Sequence, residues 1–398
     1  MLVDGKRALA YIVNVDEVKP IEGYDRVEYA RTGGWWCIVG KGELKEGQRA
    51  VYFEVDSLLP SSDKRFNFLE KRKFRIKTQK MCGGRLSQGL LMGMDSFPEL
   101  QDLEVGTDVT DKLGVKYYVS SDNERKNGPN PNSKYISMAA RHKKLAKKSW
   151  FKWLMKRDWG KKLLFFFFGR KKDNPRGWPS HLQGLSKSDQ ERVQNMTWVL
   201  EDKSPFIETT KIDGTSATYA LERKGKNRFE FYVCSRNVRQ ADRNQKNFHS
   251  EEENVYWDVA DDYHIYDFLR DFIVKNNLKW AALQGEIAGV SHKDAAIQGN
   301  PHKFNNLRFF GYDMYIPDVG KINILRARDV CKEWNIPWVP ITNEDYILPD
   351  TLEELLAHAD GECEAPGASG LREGYVYRKK SDTSFSFKAV SNKYLLKH

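Results

Sequence analysis

Over the first 118 residues, apolar and polar positions alternate in short bursts. Val27-Glu28-Tyr29 alternates, residues 35–39 form a continuous run of buried type, and residues 49–55 alternate again. Gly33-Gly34 and Glu46-Gly47 place turn residues between these bursts. Short strands at this spacing predict a small barrel or sandwich over 1–118. The pattern then breaks at Asn127-Gly128-Pro129-Asn130-Pro131-Asn132, and residues 119–185 read as a linker or insertion. Within it Trp150, Trp153 and Leu154 fall at helical spacing among lysines, which predicts a basic amphipathic helix. A second domain, 186–398, opens on Ser188-Asp189-Gln190-Glu191, which has the form of a capping box and predicts a helix start. Apolar strands near 229–233, 280–283 and 308–314 then alternate with helical patterns near 263–274 and 351–359, so the class is mixed α+β.

Charge adds a partner to this picture. The chain of 398 residues carries a net charge of +10. Residues 141–172 hold thirteen Lys or Arg against the single acid Asp158, so the basic excess is local. A basic stretch points to nucleic acid or an anionic surface and says nothing about fold. It reads either as a solvated spacer or as a contact for an RNA backbone, and Trp150, Trp153 and the phenylalanines at 165–168 keep a membrane surface in play as a third reading. Five scattered cysteines without Cys-x-x-Cys spacing fit a reducing, intracellular compartment, cytoplasmic or nuclear. Residues 1–10 lack the apolar run of a secretory signal, and the six apolar residues 163–168 are far short of the roughly 20 that span a bilayer.

The candidate chemistry centres on Lys211-Ile212-Asp213-Gly214, preceded by the apolar and β-branched 206–210. A lysine that attacks phosphorus has to lose its proton, which neighbouring positive charge or desolvation promotes. A divalent cation would do this, Asp213 can help hold one, and Gly214 allows close approach of the backbone to a nucleotide. Alone this is a charged turn. Downstream, in order, stand Ser235-Arg236-Asn237, Gly285-Glu286, Phe309-Phe310-Gly311-Tyr312-Asp313, Glu373-Gly374-Tyr375-Val376 and Phe387-Lys388. Arg236 can fork onto phosphate or ribose, Glu286 and Glu373 can take ribose hydroxyls or a hydrated cation, and Lys388 can neutralise charge on a phosphate. Phe310 and Tyr312 share a strand face, and one of them can stack on a base.

In this order the segments resemble motifs I, Ia, III, IIIa, IV and V of the covalent nucleotidyltransferase superfamily of ligases and capping enzymes. Residues 17–28, 51–60, 87–90, 188–195 and 386–393 narrow the resemblance to the Deinococcus/Naegleria-type RNA ligases, whose N-terminal domain is an OB barrel. The resemblance implies an N-terminal OB-type β-barrel followed by an α+β adenylyltransferase domain. It implies ATP as AMP donor, Mg²⁺ or Mn²⁺, and Lys211 as the residue that carries AMP. Asp213, Glu286, Glu373 and Lys388 are then catalytic, with the three carboxylates around the metal. Thr210, Ile212, Gly214, Arg236, Glu286, Phe310, Tyr312 and Lys388 would line the nucleotide site, with Tyr312 stacking on adenine. One departure stands out: motif V commonly reads Lys-x-Lys, and here Ser386 holds its first place. Lys393 is the candidate replacement.

The implied partner is RNA with 3′-OH and 5′-phosphate ends, in a nicked duplex, bound by a monomer away from any membrane. Two alternatives compete. DNA ligases and capping enzymes of the superfamily carry an OB domain after motif V, whereas here the OB-like unit lies in front and only ten residues follow Lys388. A non-catalytic basic RNA-binding protein would explain the linker, but not the ordered Lys211, Glu286, Glu373 and Lys388.

Overall fold

A computed structural model describes residues 1–3, 6–118, 148–157, 159–161, 163–164, 182, 185, 190–236, 238–240 and 254–398. The chain divides into two compact units, Met1–Tyr117 with Gly177–His398, and Tyr118–Arg176. The β-rich N-terminal residues and the C-terminal α+β residues both fall in the first of these.

The N-terminal part contains β1 (Ala10–Asn14), β2 (Glu17–Ile21), β3 (Tyr24–Thr32), β4 (Trp35–Gly40), β5 (Arg49–Phe53), β6 (Thr78–Met81), β7 (Arg85–Gln88) and β8 (Leu90–Gly93). Two three-stranded antiparallel sheets, β8-β5-β1 and β2-β3-β4, and the hairpin β6-β7 build it. The run in β4 is buried on one face only: Trp35, Cys37 and Val39 point inward, while Trp36 stacks on Tyr29 at 4.4 Å. In β5 the opposite correction holds. Val51 and Phe53 pack with Ile12, Phe66 and Phe97, while Ala50 and Tyr52 pack with Trp35 and Cys37, so both faces are covered. An alternating pattern needs a polar face in water, and a central strand shared by two cores has none.

In the second unit the predicted basic helix is α1 (Ser149–Met155). Its buried residue is Phe151, whereas Trp150 and Trp153 are 43% and 51% exposed. The Arg157 guanidinium lies 3.7 Å over the Trp153 ring. Most of the basic stretch, the breaker cluster 127–132 and the phenylalanines 165–168 lie outside the described residues.

The C-terminal part contains β9 (Glu191–Arg192), β10 (Phe206–Lys211), β11 (Thr215–Arg223), β12 (Phe229–Ser235), α2 (Val255–Asp262), α3 (Ile265–Lys275), β13 (Trp280–Gly289), β14 (Leu307–Ile316), β15 (Gly320–Lys321), α4 (Ile324–Lys332), β16 (Ile341–Tyr346), α5 (Leu352–His358), β17 (Gly374–Lys379), β18 (Asp382–Val390) and α6 (Asn392–Lys397). They form two five-stranded sheets, β9-β18-β17-β10-β16 and β12-β11-β13-β14-β15. The helix pattern at 263–274 corresponds to α3, whose Ile265, Phe268, Leu269, Phe272 and Ile273 bury one stripe against Leu221, Leu283 and Phe309 of the second sheet. Leu355 and Leu356 of α5 cover the first sheet at Phe206, Tyr377 and Phe387.

The capping box is not a helix start. Ser188 and Asp189 lie outside the described residues, and Glu191 sits in β9, which pairs parallel with Phe387 and Lys388 of β18. Its carboxylate accepts from Asn195 Nδ2 at 2.7 Å. Tertiary pairing thus overrides a local capping pattern.

The N-terminal β part is fastened to this region. Trp35 Nε1 donates to Asn195 Oδ1 at 2.6 Å, Gly34 N donates to Gln194 O at 2.8 Å, and Gln88 Nε2 donates to Asn392 Oδ1 at 2.9 Å.

Candidate active site

Lys211 is the last residue of β10 in the first sheet, and Thr215 is the first of β11 in the second. Ile212-Asp213-Gly214 is therefore the crossing between the two sheets. It passes so close to β13 that a Cβ at Gly214 would stand 2.2 Å from Ile287 O, which only glycine permits. Gly374 solves a similar problem: it pairs with Lys211 at φ +153°, and a Cβ there would meet Ala389 O at 2.1 Å.

Cross-strand partners point to the same side of a sheet, so the register aligns functional groups. Thr209 pairs with Val376, Val376 with Lys388, and Lys388 with Arg192. Two residues along the same strand faces stand Lys211 and Arg378. From the second sheet come Ser216, which pairs with Glu286, and Tyr312, whose hydroxyl lies 2.8 Å from Ser216 Oγ. These groups enclose a cavity of about 230 Å³ lined by Thr209, Thr210, Lys211, Ile212, Gly214, Arg236, Glu286, Tyr312, Arg378 and Lys388, among others.

Of the residues expected at the nucleotide, Thr210, Lys211, Ile212, Gly214, Arg236, Glu286, Tyr312 and Lys388 thus meet in one cavity. Glu373 joins them through Lys211, whose Nζ lies 2.6 Å from Glu373 Oε2. Three of the expected residues stand apart from this lining. Phe310 lies off the lining, 3% exposed, with its ring packed 5.5 Å from that of Phe304. Lys393 is 68% exposed, 3.9 Å from Asp360, and lines a different cavity with Lys19, Trp36 and Arg85. It is the second residue of α6, beyond the end of β18 and the strand that carries Lys388. Asp213 lies behind the lining: its carboxylate accepts from the Tyr394 hydroxyl, and its backbone N–H donates to His302 Nε2 at 2.8 Å.

The electrostatics follow from burial of many charges together. Burial pulls the Lys211 ammonium down, but Glu373, Asp213 and Glu286 outweigh it and hold the group above the ordinary lysine value. Burial pushes the Glu286 carboxyl up to about 8, with Lys211 opposing and Asp213 and Glu373 reinforcing. Asp213 is likewise pushed up to about 6 by burial and by the charge of Glu373. Lys388 is held well below the lysine range by burial, then by the like charges of Lys211, Arg192 and Arg7.

These charges bear on the metal expected at Asp213, Glu286 and Glu373. Among the described residues no three His, Cys, Asp or Glu are grouped closely enough to hold a metal ion as they stand. Tyr394 occupies Asp213, and Lys211 occupies Glu373. The donor chemistry still suits a hard cation: Glu286 and Glu373 offer oxygen, and their crowding is relieved by positive charge. A hydrated ion held by one or two carboxylates is what this arrangement accommodates.

Several contributors had no sequence signal of their own. His302 is fully buried, and because its Nε2 accepts from Asp213, its Nδ1 is the protonated nitrogen that donates to Leu371 O at 3.0 Å. Burial lowers its pKa, which fits this neutral form. Tyr394, Thr209 and Ser216 are equally unmarked. Arg378 alone was accessible, since alternation places it on the face of Val376 two residues after a motif residue.

Comparison with known proteins agrees with the architecture. An OB-fold domain family matches residues 9–94, and the RNA ligase family matches residues 204–394. No curated protein sequence matches the chain. Among solved structures, the Naegleria gruberi RNA ligase with PPi is 30% identical over 99% of this chain and 99% of that one, with a TM-score of 0.71. A mutant of that ligase with ATP and Mn is 30% identical over 98% of this chain and 99% of that one, at 0.72. Another, with AMP and Mn, has the same identity and coverage at 0.71.

Proposed function

The chain belongs to the RNA ligase family, and on that footing we propose that it joins RNA ends at the expense of ATP through a lysyl-AMP at Lys211. The observation that carries this reading is the position of Lys211: at the end of β10, in a cavity that Tyr312 and Lys388 also line, with a carboxylate at 2.6 Å.

In the first step the Lys211 amine attacks the α-phosphorus of ATP. A P–N bond forms, the bond to the bridging oxygen breaks, and pyrophosphate leaves. Lys211 has to shed a proton first, and Glu373 Oε2 is the carboxylate in contact with it. A divalent cation, Mg²⁺ or Mn²⁺, held at Glu286 and Glu373 would supply positive charge that favours the free amine and steadies the α-phosphate. Tyr312, whose hydroxyl lies 2.8 Å from Ser216 Oγ, is assigned the stacking on adenine, a role its place on the cavity lining supports. Lys388, its charge disfavoured by burial and by the neighbouring cations, would gain a partner in a phosphate, so its positive form is strengthened where negative charge builds. AMP then passes to an RNA 5′-phosphate, and a 3′-OH displaces it.

Incubation with labelled ATP and a divalent metal tests the first step. An acid-stable labelled protein is expected from the wild type and none from Lys211→Ala, and an adduct in the variant would overturn the assignment. For the ends, nicked duplexes with RNA or DNA at the 3′-OH nucleotide are compared. Preference for RNA there is expected, and equal sealing would favour a DNA substrate.

The basic stretch 141–172 is proposed to hold the RNA backbone. Counterion release then makes affinity fall steeply with salt, and each lost phosphate contact flattens the logarithmic slope by about 0.7 to 0.9. Among the described residues no helix is long and apolar enough to cross a membrane. Pelleting of the protein with anionic vesicles would count against the RNA assignment.

A further inference from the structure

Ser386, which holds the first place of the Lys-x-Lys pattern, is paired in register with Arg378 of the neighbouring strand. Directly paired residues project to the same side, so Arg378 stands on the face that carries Lys388 and Thr209. The same guanidinium lines the cavity while being 2% exposed.

A buried guanidinium normally has its charge matched and its donors taken. Arg378 falls short on both counts. Its Nη1 donates to Thr209 Oγ1 at 3.0 Å, and Thr209 in turn donates to Val376 O at 3.1 Å, so the group is held in place. Its Nε has no hydrogen-bond partner among the described residues. The facing carboxylate, Asp313, lies 3.6 Å from Nη2, but Lys321 Nζ already stands 3.0 Å from the same carboxylate. Two cations share one acid. The shared carboxylate leaves the Arg378 charge incompletely matched, on a planar fork suited to phosphate oxygens.

We propose that Arg378 binds the triphosphate of ATP, supplying from the strand paired with Ser386 the positive charge that Ser386 does not carry. This rests on the reading of the cavity as an ATP site. Through its resting contacts with Thr209 and Asp313 the group is preorganised, so it can meet the charge that develops as pyrophosphate leaves. Lys393, in a separate cavity, cannot take this part.

The test is exchange of charge across the strand pair. Arg378→Ala, Ser386→Lys and the double variant are compared with wild type for lysyl-AMP formation over a range of ATP concentrations, with thermal melting to report folding. Loss of one charged partner of this kind costs about 100-fold in rate. Arg378→Ala is expected to lose about that much, and the double variant to recover about tenfold or more, a restoration that loss of packing alone does not give. A folded Arg378→Ala that forms the adduct within threefold of wild type overturns the proposal, as does a folded double variant with no recovery. If Arg378→Ala does not fold, Arg378→Lys is read instead: a severalfold rise in the ATP concentration needed supports the proposal, and an unchanged ATP dependence overturns it. Normal adduct formation combined with lost AMP transfer to 5′-phosphorylated RNA would move Arg378 to the RNA phosphate and overturn the ATP assignment. A wild-type protein that forms no adduct would instead remove the ligase reading itself.

Discussion

Lys211 Nζ lies 2.6 Å from Glu373 Oε2, so the proposed nucleophile rests as a paired cation. The pair stores the amine in its unreactive form. Because the carboxylates hold the Lys211 pKa above the ordinary value, the free amine is favoured only as pH rises, and adduct formation should climb with pH. Glu373→Gln removes the strongest of the raising charges. Its rising limb is therefore expected at lower pH than that of the wild type, even if its maximum rate is smaller. Single-turnover adduct formation across the neutral and alkaline range reads both, and a limb that does not move would exclude Glu373 as the group that sets the amine's charge.

Glu286 makes a prediction about stability. Burial pushes its carboxyl up to about 8 in the fold, against an ordinary value of 4.5. Between these two values the folded protein holds a proton that the unfolded chain has released, so stability falls as pH rises through this window. Below it both forms are protonated and the effect vanishes. Glu286→Gln keeps the shape and removes the titration. The variant should gain in melting temperature relative to wild type on going from about pH 5 to about pH 8, by at least about 2 °C, in the absence of metal and nucleotide. Equal differences at the two pH values would contradict the buried carboxyl.

The crossing between the sheets tolerates no side chain at Gly214. A Cβ there would press on Ile287 O at 2.2 Å and on the Glu286 Cγ at 3.2 Å. Gly214→Ala should displace β13 or the crossing, at a cost of about 1–3 kcal/mol in stability, and should lower adduct formation because Lys211 and Glu286 lie on either side of the clash. Urea unfolding and adenylylation measured together check this. A variant normal in both would mean that the two strands separate freely.

Much of this was legible in the sequence, and the residues that were not share a cause. Motif residues such as Lys211, Glu286 and Lys388 carry their chemistry in their identity and order, so the cavity they form follows once the strands are placed. Helix α3 was legible because its apolar stripe has a clear period. Phe310 and Tyr312 could not be separated by alternation, since both lie on one face. Both belong to one apolar cluster with Ile212 and Phe304, but the Phe310 ring packs on that of Phe304 while Tyr312 reaches the cavity and Ser216. His302 and Tyr394 act on Asp213 across 89 and 181 residues, a relationship that no local pattern carries. The capping box at Ser188 failed for a related reason: Glu191 is claimed by a parallel pairing with β18, which lies almost 200 residues away.

That same pairing makes Asn195 the most informative point of contact between the two parts of the larger unit. Its Oδ1 accepts from Trp35 Nε1 at 2.6 Å, and its Nδ2 donates to Glu191 Oε1 at 2.7 Å. Glu191 precedes Arg192, which pairs with Lys388. Trp35 is 2% exposed, so water cannot replace the lost acceptor in Asn195→Ala. An indole N–H left buried without a partner costs about 1–3 kcal/mol, and Asn195→Ala should therefore lower the melting temperature of the whole protein. Asn195→Asp keeps the acceptor but loses the amide donor to Glu191 and sets a carboxylate beside it, so it should be destabilising as well, and more so at neutral than at acidic pH. Because Lys211, Glu286 and Tyr312 are untouched, the adduct should still form in the fraction that remains folded. Sealing of RNA should suffer more than adduct formation if the N-terminal β part has to be held against β9 while the strand ends are joined. Equal losses in both steps would mean that Asn195 acts only through stability, and no loss of stability at all would mean that Trp35 finds another acceptor.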